Sequence, residues 1–129
     1  MIIKRFWPVV ACLLLAMSPE IAAAGTQSSA TARAVEQTVR AYFADIPVMI
    51  RIARCESNFR QYSASGKPLY NKDGTSAVGV MQIMYSVHGS TAQDLGYNLE
   101  TLNGNLAYAR HLYQREGTAP WNASQSCWG

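Results

Sequence analysis

Apolar positions three and four apart recur along the chain in several separate runs. Val35, Val39, Tyr42 and Phe43 share one face of a helix predicted over Thr31 to Ala44, with Glu36 and Arg40 four apart on its polar side. Asp45 to Phe59 predicts a second, short helix, with Asp45 near its N-cap and Pro47 in its first turn. There Ile46, Val48, Met49, Ile50, Ile52, Ala53 and Phe59 fill a broad arc, opposite Arg51 and Arg54. Glu56 falls in the middle of that apolar arc. Burial disfavours a carboxylate, and the C-terminal end of a helix dipole pushes the same way, so Glu56 is expected to hold its proton more tightly than usual. Such a group suits general acid work near neutral pH. The plain alternative is a frayed last turn with Glu56 in water.

After Phe59 the periodicity breaks. Gln61 to Thr75 carries turn signals at Gly66, Lys67-Pro68 and Asn71-Lys-Asp-Gly74, which predict a long loop or an irregular hairpin. Ala77 to Ser86 resumes helical spacing, with Gln82 the one strongly polar side chain among Val78, Val80, Met81, Ile83, Met84 and Tyr85. An amide in that company either satisfies buried backbone or points into a cleft. Thr91 to Leu95 predicts a short helix ended by Gly96, and Asn98 or Leu99 to Glu116 a long one ended by Gly117. Leu99, Leu102, Leu106, Ala109 and Tyr113 form the stripe of the long helix, widened by Leu112, with Asn105 and Tyr108 at its rim. Trp121 and Trp128 suit either a sugar-stacking platform or simple anchoring of their segment.

The first residues read differently. Lys4 and Arg5, an apolar run from Pro8 to Met17 and the small-residue stretch to Ala24 have the form of a secretory signal over 1–24, followed by a flexible lead-in over 25–30 and a single domain over 31–129. The apolar run is too short to span a bilayer, and Val-Val-Ala-Cys12 is a weak lipoprotein match. Export places the protein in the periplasm or outside the cell. Removal of the leader takes one of three cysteines and leaves Cys55 and Cys127, which in an exported chain imply a disulfide worth roughly 3 to 5 kcal/mol. It would bring residue 127 beside Glu56. His88 and His111 have no ligand spacing with these cysteines, so no metal and no cofactor is expected. The mild positive charge favours an anionic polymer, without the basic run or aromatic ladder of a nucleic-acid binder.

A usual glycosidase needs two carboxylates across the scissile bond. Here Glu56 stands alone: Asp73 and Asp94 fall on loops, Glu36, Glu100 and Glu116 on wet faces, and Asp45 on a cap. No Gly-x-Ser-x-Gly elbow, phosphate loop or HExxH is present. A lone acid suffices if the substrate brings its own nucleophile and its own charge stabilisation.

Glu56-Ser57 after an apolar helix, Gly79-Val-Met-Gln-Ile83, Gly104-Asn-Leu-Ala-Tyr-Ala-Arg110 and Trp121-Asn-Ala-Ser124 together resemble the catalytic domain of soluble lytic transglycosylases, over about Ile46 to Trp128. The resemblance implies a mainly α, α+β lysozyme-like fold, built on a central helix ending in the catalytic Glu, with a small hairpin or loop lobe. It implies cleavage of peptidoglycan glycan strands between N-acetylmuramic acid and N-acetylglucosamine, leaving a 1,6-anhydro end. Glu56 would be the catalytic residue, and Ser57, Gly79, Met81, Gln82, Tyr108, Trp121 and Asn122 would meet or border the sugar. Many members carry Tyr-Asn-Ala-Gly where this chain has Trp121-Asn-Ala-Ser124, and the serine often opposite the glutamate has Ser76 and Ser65 as candidates. Two other readings stand beside this one: a hydrolytic muramidase with Asp73 holding a water, and a non-catalytic wall-binding or assembly module. A monomer recruited by an envelope-spanning secretion or conjugation machine is the expected context.

Overall fold

The structure is a computed structural model that describes residues 20–129. Most of the expected leader, Cys12 included, lies outside the described residues. Within them the order is α1 (Glu20–Tyr42), α2 (Pro47–Ser57), β1 (Ala77–Val78), β2 (Ile83–Met84), α3 (Tyr85–Asp94), α4 (Leu102–Glu116), a 3-10 turn (Ala119–Ser124) and α5 (Gln125–Trp128). The fold is mainly α with a small two-stranded sheet, in keeping with a lysozyme-like domain.

Val35, Val39 and Phe43 of α1, Met49, Ile52 and Ala53 of α2, and Leu106, Ala109 and Leu112 of α4 meet in one core with Val78, Val80 and Met81 of the hairpin. Their spacing in sequence puts each set on one helical face, and the burial of those faces holds the helices together. Leu99, just before α4, is buried with them.

Four expectations need correction. The first helix does not begin at Thr31: α1 runs from Glu20 to Tyr42. Once packing has nucleated a helix, extension through Ala- and Ser-rich sequence adds little cost. Asp45 does not cap α2, whose N-cap is Ile46 without a side-chain bond. The Asp45 carboxylate instead accepts from Arg110 of α4 at 2.8 and 2.9 Å, and Arg110 also lies over the Tyr42 and Phe43 rings. That guanidinium holds the exposed Asp45 carboxyl below its ordinary pKa.

Residues 77–86 are not a helix. They form an antiparallel hairpin, Ala77 opposite Met84 and Val78 opposite Ile83, before α3 begins at Tyr85. Ser76, Gly79 and Gln82 have φ of 57°, 73° and 49°, a backbone no α-helix accepts. The fourth correction concerns α4, which starts at Leu102, with the Thr101 hydroxyl capping Gly104 N–H. Its supposed rim residues Asn105 and Tyr108 are fully buried.

Candidate active site

Glu56 sits in the last turn of α2, which stops because Asn58 and Phe59 both turn left-handed, with φ of 52° and 59°. Asn58 N–H returns to Arg54 O at 2.9 Å, closing the helix end. The next side chain, Ser57, is buried, and its Oγ lies 2.8 Å from Val80 O and accepts from Arg60 N–H. The end of α2 is thereby stitched to the hairpin turn 79–82.

That turn is a buried polar construction. Gln61 Oε1 accepts from Val80 N–H at 2.9 Å while its Nε2 donates to Glu100 O, and Asn105 Oδ1 accepts from Met81 N–H while its Nδ2 donates to Val78 O and Leu99 O. Both amides are wholly buried and fully used, the arrangement that makes buried polar groups tolerable. Gly79 lets them approach: a Cβ there would lie 2.4 Å from Asn105 Nδ2 and 2.6 Å from Gln61 Oε1. The role of satisfying buried backbone, weighed for Gln82, is carried chiefly by Gln61 and Asn105. Gln82 itself is half-buried, and its Nε2 donates to Gly79 O across its own turn.

From the other side the turn is held by Trp121, whose Nε1 donates to Met81 O at 2.9 Å. Trp121 and Trp128 are 3% and 5% exposed, so both rings anchor the 119–128 segment and neither offers a face for sugar stacking. Met81 is fully buried, and so is Tyr108, whose hydroxyl meets His88 Nδ1 at 3.1 Å and whose pKa burial pushes up. Of the residues expected to meet or border sugar, Ser57, Gly79, Met81, Tyr108 and Trp121 are therefore covered by protein and shape the frame. Gln82 and Asn122 retain exposed surface.

Among the described residues Glu56 has one hydrogen-bond partner, the hydroxyl of Ser124, which donates to Oε1. Burial raises its pKa, and the Ser124 bond partly offsets that rise. Ser76 and Ser65, the serines considered for a place opposite the glutamate, pair instead with Ser86 and Ser63. Asp73 accepts from Thr75 N–H within its own exposed loop, which lowers its pKa. Cys55 and Cys127 form the disulfide, with Cα atoms 6.0 Å apart, and so join the neighbour of Glu56 to the segment that carries Ser124. Arg51 Nε adds a bond to Trp128 O. Two surface cavities of about 560 and 400 Å³ lie elsewhere, one between α1 and residues 59–66, the other between α3 and residues 96–100. Among the described residues no group of three or more His, Cys, Asp or Glu is arranged to hold a metal, and no helix is long and apolar enough to cross a membrane.

The site is thus a half-buried acid at a helix end, held by Ser124, next to a serine that bonds the buried turn. The family profile described as Transglycosylase SLT domain matches residues 33–114. The chain belongs to this family. No curated protein and no solved structure gave a match. The SLT match takes in the C-terminal part of α1, all of α2 with Glu56, the hairpin, α3 and nearly all of α4. It ends before Trp121, Ser124 and Cys127, so the partner of Glu56 is contributed by sequence beyond the matched span of the SLT domain.

Proposed function

We propose that this SLT domain is a lytic transglycosylase that cuts the β-1,4 bond between N-acetylmuramic acid and N-acetylglucosamine in peptidoglycan, with Glu56 as the sole acid and base. The observation that carries the reading is the environment of Glu56: a half-buried carboxyl with a raised pKa, at the end of the helix that the SLT match includes. Protonated, it gives its proton to the leaving glycosidic oxygen. As carboxylate it then takes the proton from the muramic C6 hydroxyl while that oxygen closes on C1, and the substrate's acetamido oxygen steadies the positive charge at C1. No water enters, and the product ends in 1,6-anhydromuramic acid. The chemistry needs no second carboxylate, which agrees with Asp73 being engaged within its own loop.

The reading places the protein in the periplasm or outside the cell, where its substrate lies and where a disulfide between Cys55 and Cys127 is stable. The reading includes opening of the wall for an envelope-spanning secretion or conjugation machine as the context of this activity. Mass spectrometry of the muropeptides released from purified sacculi tests the reaction. Anhydro products, one water lighter than the hydrolytic ones, are the expected result, and hydrated reducing ends would assign the domain to hydrolysis.

A further inference from the structure

We infer that Ser124 is a positioning residue for Glu56: its hydroxyl holds Oε1 and leaves Oε2 as the oxygen that exchanges protons with the substrate. The inference rests on the reading of Glu56 as the catalytic acid and base, and goes beyond it in naming the group that aims the carboxyl.

The geometry is specific to one oxygen. Ser124 Oγ donates to Glu56 Oε1, and among the described residues no donor bonds Oε2. Oε2 is not among the fully buried side-chain atoms left without a partner, in keeping with the half-burial of Glu56. The carboxyl is therefore split into a held oxygen and a free one.

Ser124 is itself held. Trp128 Nε1 donates to its Oγ at 3.0 Å and also lies 3.2 Å from Trp121 O, while Cys127, one residue before Trp128, is bonded to Cys55. A serine hydroxyl has one proton, and among the described residues its only other acceptor is Trp121 O at 3.1 Å. A carboxylate at Glu56 is the stronger acceptor of the two, so the bond tightens as the acid becomes the base. The donor chain runs Trp128 Nε1–H to Ser124 Oγ–H to Glu56 Oε1. It costs no proton transfer, and it serves both halves of the reaction: Oε1 still accepts when the proton sits on Oε2.

Charged groups around the acid do not take over this role. Arg51 on α2 is committed to Trp128 O and Arg60 to Ser57 O; Arg54 is exposed. Burial and the Ser124 bond are the influences on the Glu56 proton.

The test compares wild type with Ser124→Ala and Ser124→Thr, in the disulfide-bonded protein, by two readouts. The first is an NMR titration of the Glu56 side-chain carboxyl, which does not depend on activity. Loss of the donor leaves burial unopposed, so the Ser124→Ala protein is expected to titrate at higher pH than wild type, with Ser124→Thr near wild type. The second is the pH dependence of muropeptide release. Ser124→Ala is expected to release about tenfold more slowly, the cost of one charge-assisted hydrogen bond, with its alkaline limb moved to higher pH, and Ser124→Thr to recover most of the rate. An unchanged carboxyl titration in Ser124→Ala would overturn the inference whatever the activity. Loss of rate in Ser124→Ala with an unchanged pH limb and no recovery in Ser124→Thr would also overturn it, since that is the signature of a packing defect. If Glu56→Gln alone leaves release unaltered, it is the functional reading that fails, and the titration still decides whether Ser124 holds the carboxyl.

Discussion

At the scale of single residues, the placement of Glu56 makes its ionisation a cost to folding. Its pKa is raised on folding, so the folded state binds the proton more tightly than the unfolded chain. The sign is then fixed: a protonated Glu56 is accommodated at low pH, and stability is lost as pH rises above the ordinary glutamate value and through the raised one. Glu56→Gln keeps the shape and an oxygen for Ser124 but never ionises. It is expected to melt at the same temperature as wild type at pH 4 and slightly higher at pH 7, which thermal unfolding at the two pH values checks. The same substitution is expected to slow muropeptide release by at least about 100-fold, the lower range for loss of a general acid. Glu56 itself was legible in the sequence, because one carboxylate inside an apolar helical arc is an anomaly that burial must explain. Ser124 was not: it lies far away in sequence, and its significance depends on a disulfide and a tryptophan that bring it to the acid.

The elements show where periodicity informs and where it misleads. The α2 and α4 helices could be read because each has a clear polar face. Residues 77–86 could not, since a largely apolar hairpin reads like a buried helix, and what separates them is the backbone sign at Ser76, Gly79 and Gln82. The amides beneath the turn were hidden for the same reason: Gln61 sits among loop residues and Asn105 at a helix position that looks peripheral, yet both are fully buried. The turn depends on them. Gly79→Ala would force a Cβ to within 2.4 Å of Asn105 Nδ2 at a φ of 73° and is expected to cost about 2 to 4 kcal/mol. Asn105→Ala would strand Met81 N–H and take a donor from both Val78 O and Leu99 O, at a similar cost of about 2 to 4 kcal/mol. Urea unfolding of the two variants measures both, with a lowered midpoint at unchanged slope as the expected form.

On the scale of the whole molecule, the SLT framework supplies the acid and the 119–128 segment supplies its support. Two devices join them. The Trp121 bond to Met81 O docks the segment on the turn, and the disulfide bridges a separation of 72 residues. For a loop of that length the chain-entropy model gives about 4 kcal/mol, so reduction is expected to lower Tm by roughly 15 to 30 °C for a domain of this size, as calorimetry with and without reductant would record. Reduction also frees Ser124 from its closest covalent tether, so activity is expected to decline at temperatures where the reduced protein remains folded. The account turns on one carboxyl group doing the chemistry by itself, and the direct measurement is product analysis of sacculi digested by wild type and Glu56→Gln side by side. The account predicts 1,6-anhydro muropeptides from the wild type and almost none of any kind from the variant. Undiminished release by Glu56→Gln, or hydrated ends from the wild type, would contradict it.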